Sequence, residues 1–226
     1  MRHADVVYFD DPGRRVAHTD VVLTPAGLQQ AHSTGAALAE VRLDRVVTSG
    51  LARTEQTAEI VLDHLRHPPA DPEPWRLPEL EEILPGDPSA IPDDELAEAF
   101  LAPFRRGAPL DRRFLGGESL ADLVQRVGRA TRRIYADDRW RTLLVIAHGA
   151  VNRAILSEVL VGSGAFLGTL EQSPACLNVI DGDPGAQEVR AVNITPYDLL
   201  QPDTLATSLE QFLAQYVAFR AGNSEP

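Results

Sequence analysis

Along the chain, apolar positions switch between helical spacing and short continuous runs. Thr24-Pro25 lead into Leu28, Ala31, Gly35 and Leu38 at helical spacing. Threonine suits an N-cap and proline the first helical position, so a helix is predicted to start there. Arg45-Val46-Val47-Thr48-Ser49 reads as a short buried strand, and Ala58, Val61, Leu62 and Leu65 give a helix from Arg53 to Leu65. Ser119 with Asp122 three residues on is a capping-box pattern, and Leu120, Leu123, Val124, Val127 and Ile134 form the apolar face behind it. Thr142-Leu143-Leu144-Val145-Ile146-Ala147 is the strongest strand, and its near-continuous apolar run predicts burial on both faces. A helix from about Val151 follows. Cys176 to Ile180 and Glu188 to Asn193 flank Asp181-Gly182-Asp183, a turn signal, and predict a late hairpin. Leu205, Leu209, Phe212, Leu213 and Tyr216 mark a C-terminal amphipathic helix.

Between His67 and Gly117 this order breaks down. Clustered prolines (Pro68, Pro69, Pro72, Pro74, Pro78, Pro85, Pro88, Pro92) interrupt the apolar period, with one short helix predicted near Asp93 to Phe100. Strands alternating with helices give an α/β protein. The expectation is a three-layer α/β/α sandwich around a mostly parallel sheet, with a small irregular cap insertion at 68–117 in a single domain spanning 1–226.

Composition narrows the function. The formal net charge is −12, which argues against a nucleic-acid partner and against an anionic membrane surface. A small anionic substrate stays compatible, because a few arginines can make a local positive pocket in an acidic protein. All 21 basic residues are arginine, so most arginines need no functional explanation. Cys176 is the single cysteine, and no disulfide framework or paired-cysteine zinc site is expected. No apolar run spans a bilayer and no signal-peptide pattern opens the chain, so a cytoplasmic protein is expected.

Two histidines and two arginines stand out by position. His148 lies at the carboxyl end of the strongest strand, just before a helix; open α/β sheets place ligands at that edge, and free helix-start N–H groups favour an anion there. Arg53 follows another strand and again opens a helix. With Arg2 and His3 this would form an anion pocket whose planar guanidinium forks match phosphate oxygens. His18, His32, His64 and His67 read as surface residues. Arg105, Arg106, Arg112 and Arg113 read as solvated charge.

Six segments, in order, resemble the histidine phosphatase (phosphoglycerate mutase-like) superfamily. Arg2-His3-Ala4 is similar to its Arg-His-Gly signature. Leu23-Thr24-Pro25-Ala26-Gly27-Leu28-Gln29-Gln30-Ala31 resembles its Leu-Thr-x-x-Gly-x-x-Gln-Ala helix start. Ser49-Gly50-Leu51-Ala52-Arg53-Thr54-Glu55-Gln56-Thr57-Ala58 resembles its Ser-x-Leu-x-Arg-x-x-Gln-Thr-Ala segment. Leu80-Glu81-Glu82-Ile83-Leu84-Pro85-Gly86, Gly117-Glu118-Ser119 and Val145-Ile146-Ala147-His148-Gly149 complete the set. The resemblance implies that His3 attacks phosphorus and becomes phosphohistidine. It implies that Arg2, Arg53, His148 and Gly149 hold the phosphoryl group, and that Glu82 serves as acid and then base; the segment's spacing selects Glu82 over Glu81. No metal and no cofactor is implied.

The chain departs from that pattern in three places. The family carries a buried strand before Arg-His-Gly, whereas here only Met1 precedes Arg2, so either the start lies upstream of Met1, which is the expectation, or the chain lacks that strand. Ala4 replaces the family glycine, keeping the backbone N–H available to a phosphate. Phe9 stands where many members have asparagine. The function expected is a metal-independent phosphomonoesterase acting on a small phosphorylated metabolite. A mutase-type phosphotransferase and a non-catalytic phosphate-binding regulator are the alternatives. The late hairpin and C-terminal helix would support a homodimer.

Overall fold

The computed structural model describes residues 1–8, 16–162, 164–199 and 208–222. Its centre is a three-stranded parallel sheet of β1 (Arg45–Thr48), β2 (Trp75–Arg76) and β3 (Leu143–Ile146), in the order β2-β1-β3. Parallel strands need crossovers, and helices supply them on both faces. Helices α1 (Pro25–Ala37) and α2 (Ala52–His64) pack on one face; α4 (Leu120–Tyr135) and α5 (Gly149–Val161) pack on the other.

Alternation along the strands feeds both faces. Val46, Leu144 and Ile146 enter one core with Ala31, Ala58 and Val61. Val47 and Val145 point to the other core, with Leu123, Val127, Val151 and Ala154. This is the layered α/β/α arrangement the pattern predicts, because a strand buried on both faces must be apolar at successive positions.

Residues 1–3 extend the sheet beyond β3. The Met1 ammonium donates to Val145 O at 2.8 Å, and Arg2 bridges Ala147 in parallel. Ala147 N donates to Met1 O and His3 N to Ala147 O, both at 3.0 Å. Met1 to His3 thus lie beside the carboxyl end of β3, which carries His3 to the same sheet edge as His148.

The proline-rich stretch contributes more than loops. Trp75–Arg76 pairs parallel to β1 as the sheet edge, an element too short for any periodicity to reveal. Helix α3 (Asp93–Leu101) follows, and Phe100, Phe104 and Phe114 pack into the core above α4. Helix α6 (Ser208–Gly222) closes over this aromatic group. Phe212 and Tyr216 meet Phe100 at 5.4 and 5.7 Å between ring centroids, and Arg220 pairs with Asp93 at 3.0 Å. Leu205, expected in that helix, lies outside the described residues. The predicted hairpin is β4 (Leu177–Asp181) with β5 (Glu188–Ile194), antiparallel. Among the described residues, no helix is long and apolar enough to cross a membrane.

Candidate active site

His3 enters the site from the extended segment beside β3, and its surroundings fix both its place and its tautomer. His3 Nδ1 lies 2.8 Å from the carbonyl of Ala4. A carbonyl only accepts, so Nδ1 carries the proton and Nε2 keeps its lone pair. The residue is 1% exposed and Nε2 has no hydrogen-bond partner.

The chain after His3 is held by the start of α1. Thr24 caps that helix by accepting from Gly27 N at 2.9 Å, and its hydroxyl donates to Asp5 Oδ2 at 2.8 Å. Thr24 N donates to Asp5 O, and Asp5 N donates to Gln30 Oε1. A Cβ on Gly27 would stand 2.2 Å from Asp5 O. Gly27→Ala therefore forces apart the helix start and the segment carrying His3, and is expected to cost about 1–3 kcal/mol of unfolding free energy. A urea titration of the variant checks this. An unchanged midpoint would show that the contact yields freely.

The segment around α2 builds the second side. Arg53 is fully buried; its Nη1 donates to the His18 carbonyl at 3.0 Å, while Nε and Nη2 have no partner. Thr57 Oγ1 accepts from Ala4 N at 3.2 Å and donates to Arg53 O at 2.7 Å. The Ala4 N–H expected to face a phosphate is thus engaged by Thr57, and the alanine methyl fits, being fully buried in the core. Ser49 Oγ lies 2.9 Å from His148 Nε2, which fixes that ring; His148 Nδ1 has no partner. The two imidazoles meet edge to face with centroids 5.0 Å apart. Arg2 donates from Nη1 to Gln172 O at 2.5 Å and leaves its buried Nε unpartnered.

Glu82 arrives on the loop after β2. Its Oε1 accepts from Ala150 N at 3.1 Å, at the N-terminus of α5. The loop is clamped by Arg126 of α4, which donates to the carbonyls of Glu79, Glu81 and Glu82 and forms a bidentate pair with Glu118 at 2.6 and 2.8 Å. Glu118 Oε2 also accepts from Leu84 N at 3.0 Å. A Cβ on Gly117 would lie 2.4 Å from Leu84 O. The Gly86 and Gly117-Glu118-Ser119 segments are therefore two halves of one clamp that presents Glu82.

The electrostatics favour neutral imidazoles. Burial, followed by the charges of Arg53 and Arg2, pushes His3 well below the usual histidine range. Burial, then the neighbouring His3 and Arg53, does the same to His148. This has a consequence for stability. An unfolded histidine takes up a proton below about pH 6.5, while these two stay neutral in the folded protein. Their contribution is complete above that pH and is lost as pH falls toward the lowered folded values. The unfolding free energy should drop between pH 6.5 and 5.5 by up to about 1.4 kcal/mol per unit for each ring. Chemical denaturation at the two pH values, repeated on His148→Gln, checks this; equal slopes in wild type and variant would refute the assignment.

Sequence reasoning missed some residues around this site. His18, read as a surface residue, is corrected: it lies beside the site, its carbonyl holds Arg53, and its charge acts on both His3 and His148. Tyr8 is within electrostatic reach of Arg53, Arg2 and Glu82 and stacks on Phe212 of α6, with centroids 4.5 Å apart. His32 and His64 face each other at 3.0 Å on the outer side of α1 and α2, away from the chemistry, and His67 is exposed. Arg105, Arg106, Arg112 and Arg113 are exposed as expected. Phe9 lies outside the described residues.

Comparison with known proteins agrees with this geometry. The model of the histidine phosphatase superfamily (branch 1) matches residues 1–195. Uncharacterized phosphatase PhoE of Bacillus subtilis strain 168 is 26% identical over 179 residues, covering 79% of this chain and 85% of that protein. Adenosylcobalamin/alpha-ribazole phosphatase of Salmonella typhimurium is 26% identical over 183 residues, covering 78% and 86%. The crystal structure of the alpha-ribazole phosphatase from Shigella flexneri shares the fold, with a TM-score of 0.67 and 22% identity over 85% of this chain and 94% of that one. With its buried histidine pair and arginines in place, this chain belongs to the histidine phosphatase superfamily, branch 1.

Proposed function

We propose that the chain is a metal-independent phosphomonoesterase acting on a small phosphorylated metabolite through phosphohistidine on His3. One observation carries the reading. His3 Nε2 is buried, unprotonated and unpartnered, and unpartnered buried groups of Arg2, Arg53 and His148 surround it. Buried donors without acceptors are costly, and a bound phosphoryl group would satisfy them.

The steps follow from these groups. The Nε2 lone pair attacks phosphorus while the bond to the leaving oxygen breaks, and Glu82 supplies the proton that oxygen needs. Arg2, Arg53 and His148 stabilise charge on the three equatorial oxygens, which is most of what phosphoryl transfer requires. Water then attacks phosphorus, Glu82 takes its proton, the P–N bond breaks, and its electron pair returns to Nε2.

The relatives named above are phosphatases, which supports hydrolysis over transfer. The test is phosphate release from p-nitrophenyl phosphate in excess EDTA, with trapping of an acid-labile, alkali-stable phosphoenzyme. EDTA-resistant release with that phosphoenzyme is expected. Phosphate moved between substrate positions without net release would identify a mutase. Tight phosphate binding with no phosphoenzyme would identify a binding protein.

A further inference from the structure

A second buried guanidinium besides that of Arg53 stands beside this site, and the steps above do not use it. Arg153 lies on α5 four residues after Gly149, so its side chain runs back toward the helix N-terminus. A Cβ on Gly149 would be 3.1 Å from Arg153 Nη1, 3.7 Å from Glu82 Oε2 and 3.8 Å from Arg2 Nε. The guanidinium, the Glu82 carboxyl group and Arg2 thus all flank the same position at the start of α5. It also stands over the ring of Phe104, 5.5 Å from its centroid.

Its pairing is thin for a buried charge. The residue is 6% exposed, and Nε has no hydrogen-bond partner. Among the described residues, the one carboxylate within 4 Å is Glu171, at 3.7 Å from Nη2. Buried cations are otherwise paired and hydrogen-bonded, because desolvation costs several kcal/mol. Arg153 interacts electrostatically with Glu171, Arg2 and Glu82. Arg153 thus stands on the Glu82 side of the site, at the start of α5, and Glu82 is the residue that the proposed reaction places at the leaving group.

We infer that Arg153 binds a second oxyanion, carboxylate or phosphate, carried by the leaving group of the substrate, with Phe104 supporting the guanidinium from below. The inference rests on the phosphomonoesterase reading. It makes the substrate class a phosphate monoester bearing a further anionic group, recognised through the bidentate fork of arginine.

The test uses matched pairs: 3-phosphoglycerate against glycerol 3-phosphate for carboxylate, and fructose 1,6-bisphosphate against fructose 1-phosphate for phosphate. Wild type should prefer the doubly anionic member of one pair by about 10- to 100-fold in kcat/KM, and the favoured pair names the oxyanion. Arg153→Met should bring that ratio close to one, and Arg153→Lys should keep part of it. No preference in either pair, or an Arg153→Met ratio equal to wild type, overturns the inference. Calorimetry of the same compounds with His3→Ala separates the two readings. Selective binding without turnover in wild type would sustain Arg153's role and overturn only the hydrolytic reading; equal affinities for both members of each pair would overturn Arg153's role.

Discussion

Replacing His3 with alanine is expected to lower kcat for p-nitrophenyl phosphate by about 10⁴-fold or more and to remove the phosphoenzyme. The magnitude follows from what alanine takes away. His3 Nε2 is a buried lone pair whose tautomer is fixed by the Ala4 carbonyl, so it attacks without first losing a proton. Its low proton affinity, set by burial and then by Arg53 and Arg2, keeps that lone pair free well into the acid range. Water reaching the same phosphorus would have to be deprotonated first. Arg2, Arg53 and His148 would still bind a phosphoryl group, so inorganic phosphate should bind His3→Ala while turnover stops. Hydrolysis by purified His3→Ala within tenfold of wild type would sink the nucleophile assignment. Loss of phosphate binding together with turnover would instead point to a collapsed pocket, which a denaturation curve would reveal.

Much of this site was legible in the sequence because its residues sit in segments that clamp one another. Thr24, Gly27 and Gln30 grip Asp5, two residues after His3; Thr57 grips Ala4; Ser49 grips His148. Gly117 and Glu118 meet Leu84, two residues after Glu82. Each segment looks weak alone, since its residues serve contacts that lie far away in sequence, and their order is what carries information. Contacts made by backbone atoms stayed hidden. His18 acts through its carbonyl, which side-chain identity does not report. Arg126, which anchors three carbonyls near Glu82, reads only as a polar position on an amphipathic helix. Arg153 was findable, because an i,i+4 step from Gly149 places it over the site. Strand β2 was not, since two residues carry no period and prolines surround them. The layers were legible for the opposite reason: β1 and β3 are buried on both faces, and only helices on both sides of a parallel sheet bury a strand that way.

Glu82→Gln should separate the two halves of the reaction. Glutamine keeps the size of the side chain and can still accept from Ala150 N through its carbonyl oxygen, so α5 should keep its capped start. What it loses is the proton. On an alkyl phosphate, whose alkoxide leaves poorly, formation of the phosphoenzyme should slow by about 10²- to 10⁴-fold. On p-nitrophenyl phosphate the leaving phenolate needs little protonation, so phosphoryl transfer to His3 should survive largely intact. Hydrolysis of the phosphoenzyme would then be slow, because the attacking water has lost its base. Rapid mixing should therefore show a burst of p-nitrophenol close to one equivalent per enzyme, followed by slow turnover, with phosphohistidine accumulating. Equal slowing on both substrates without accumulation would mean that Glu82 only caps α5. The acid would then be sought in the adjacent Glu81, whose carbonyl is held by the same arginine, and Glu81→Gln would be the variant to compare.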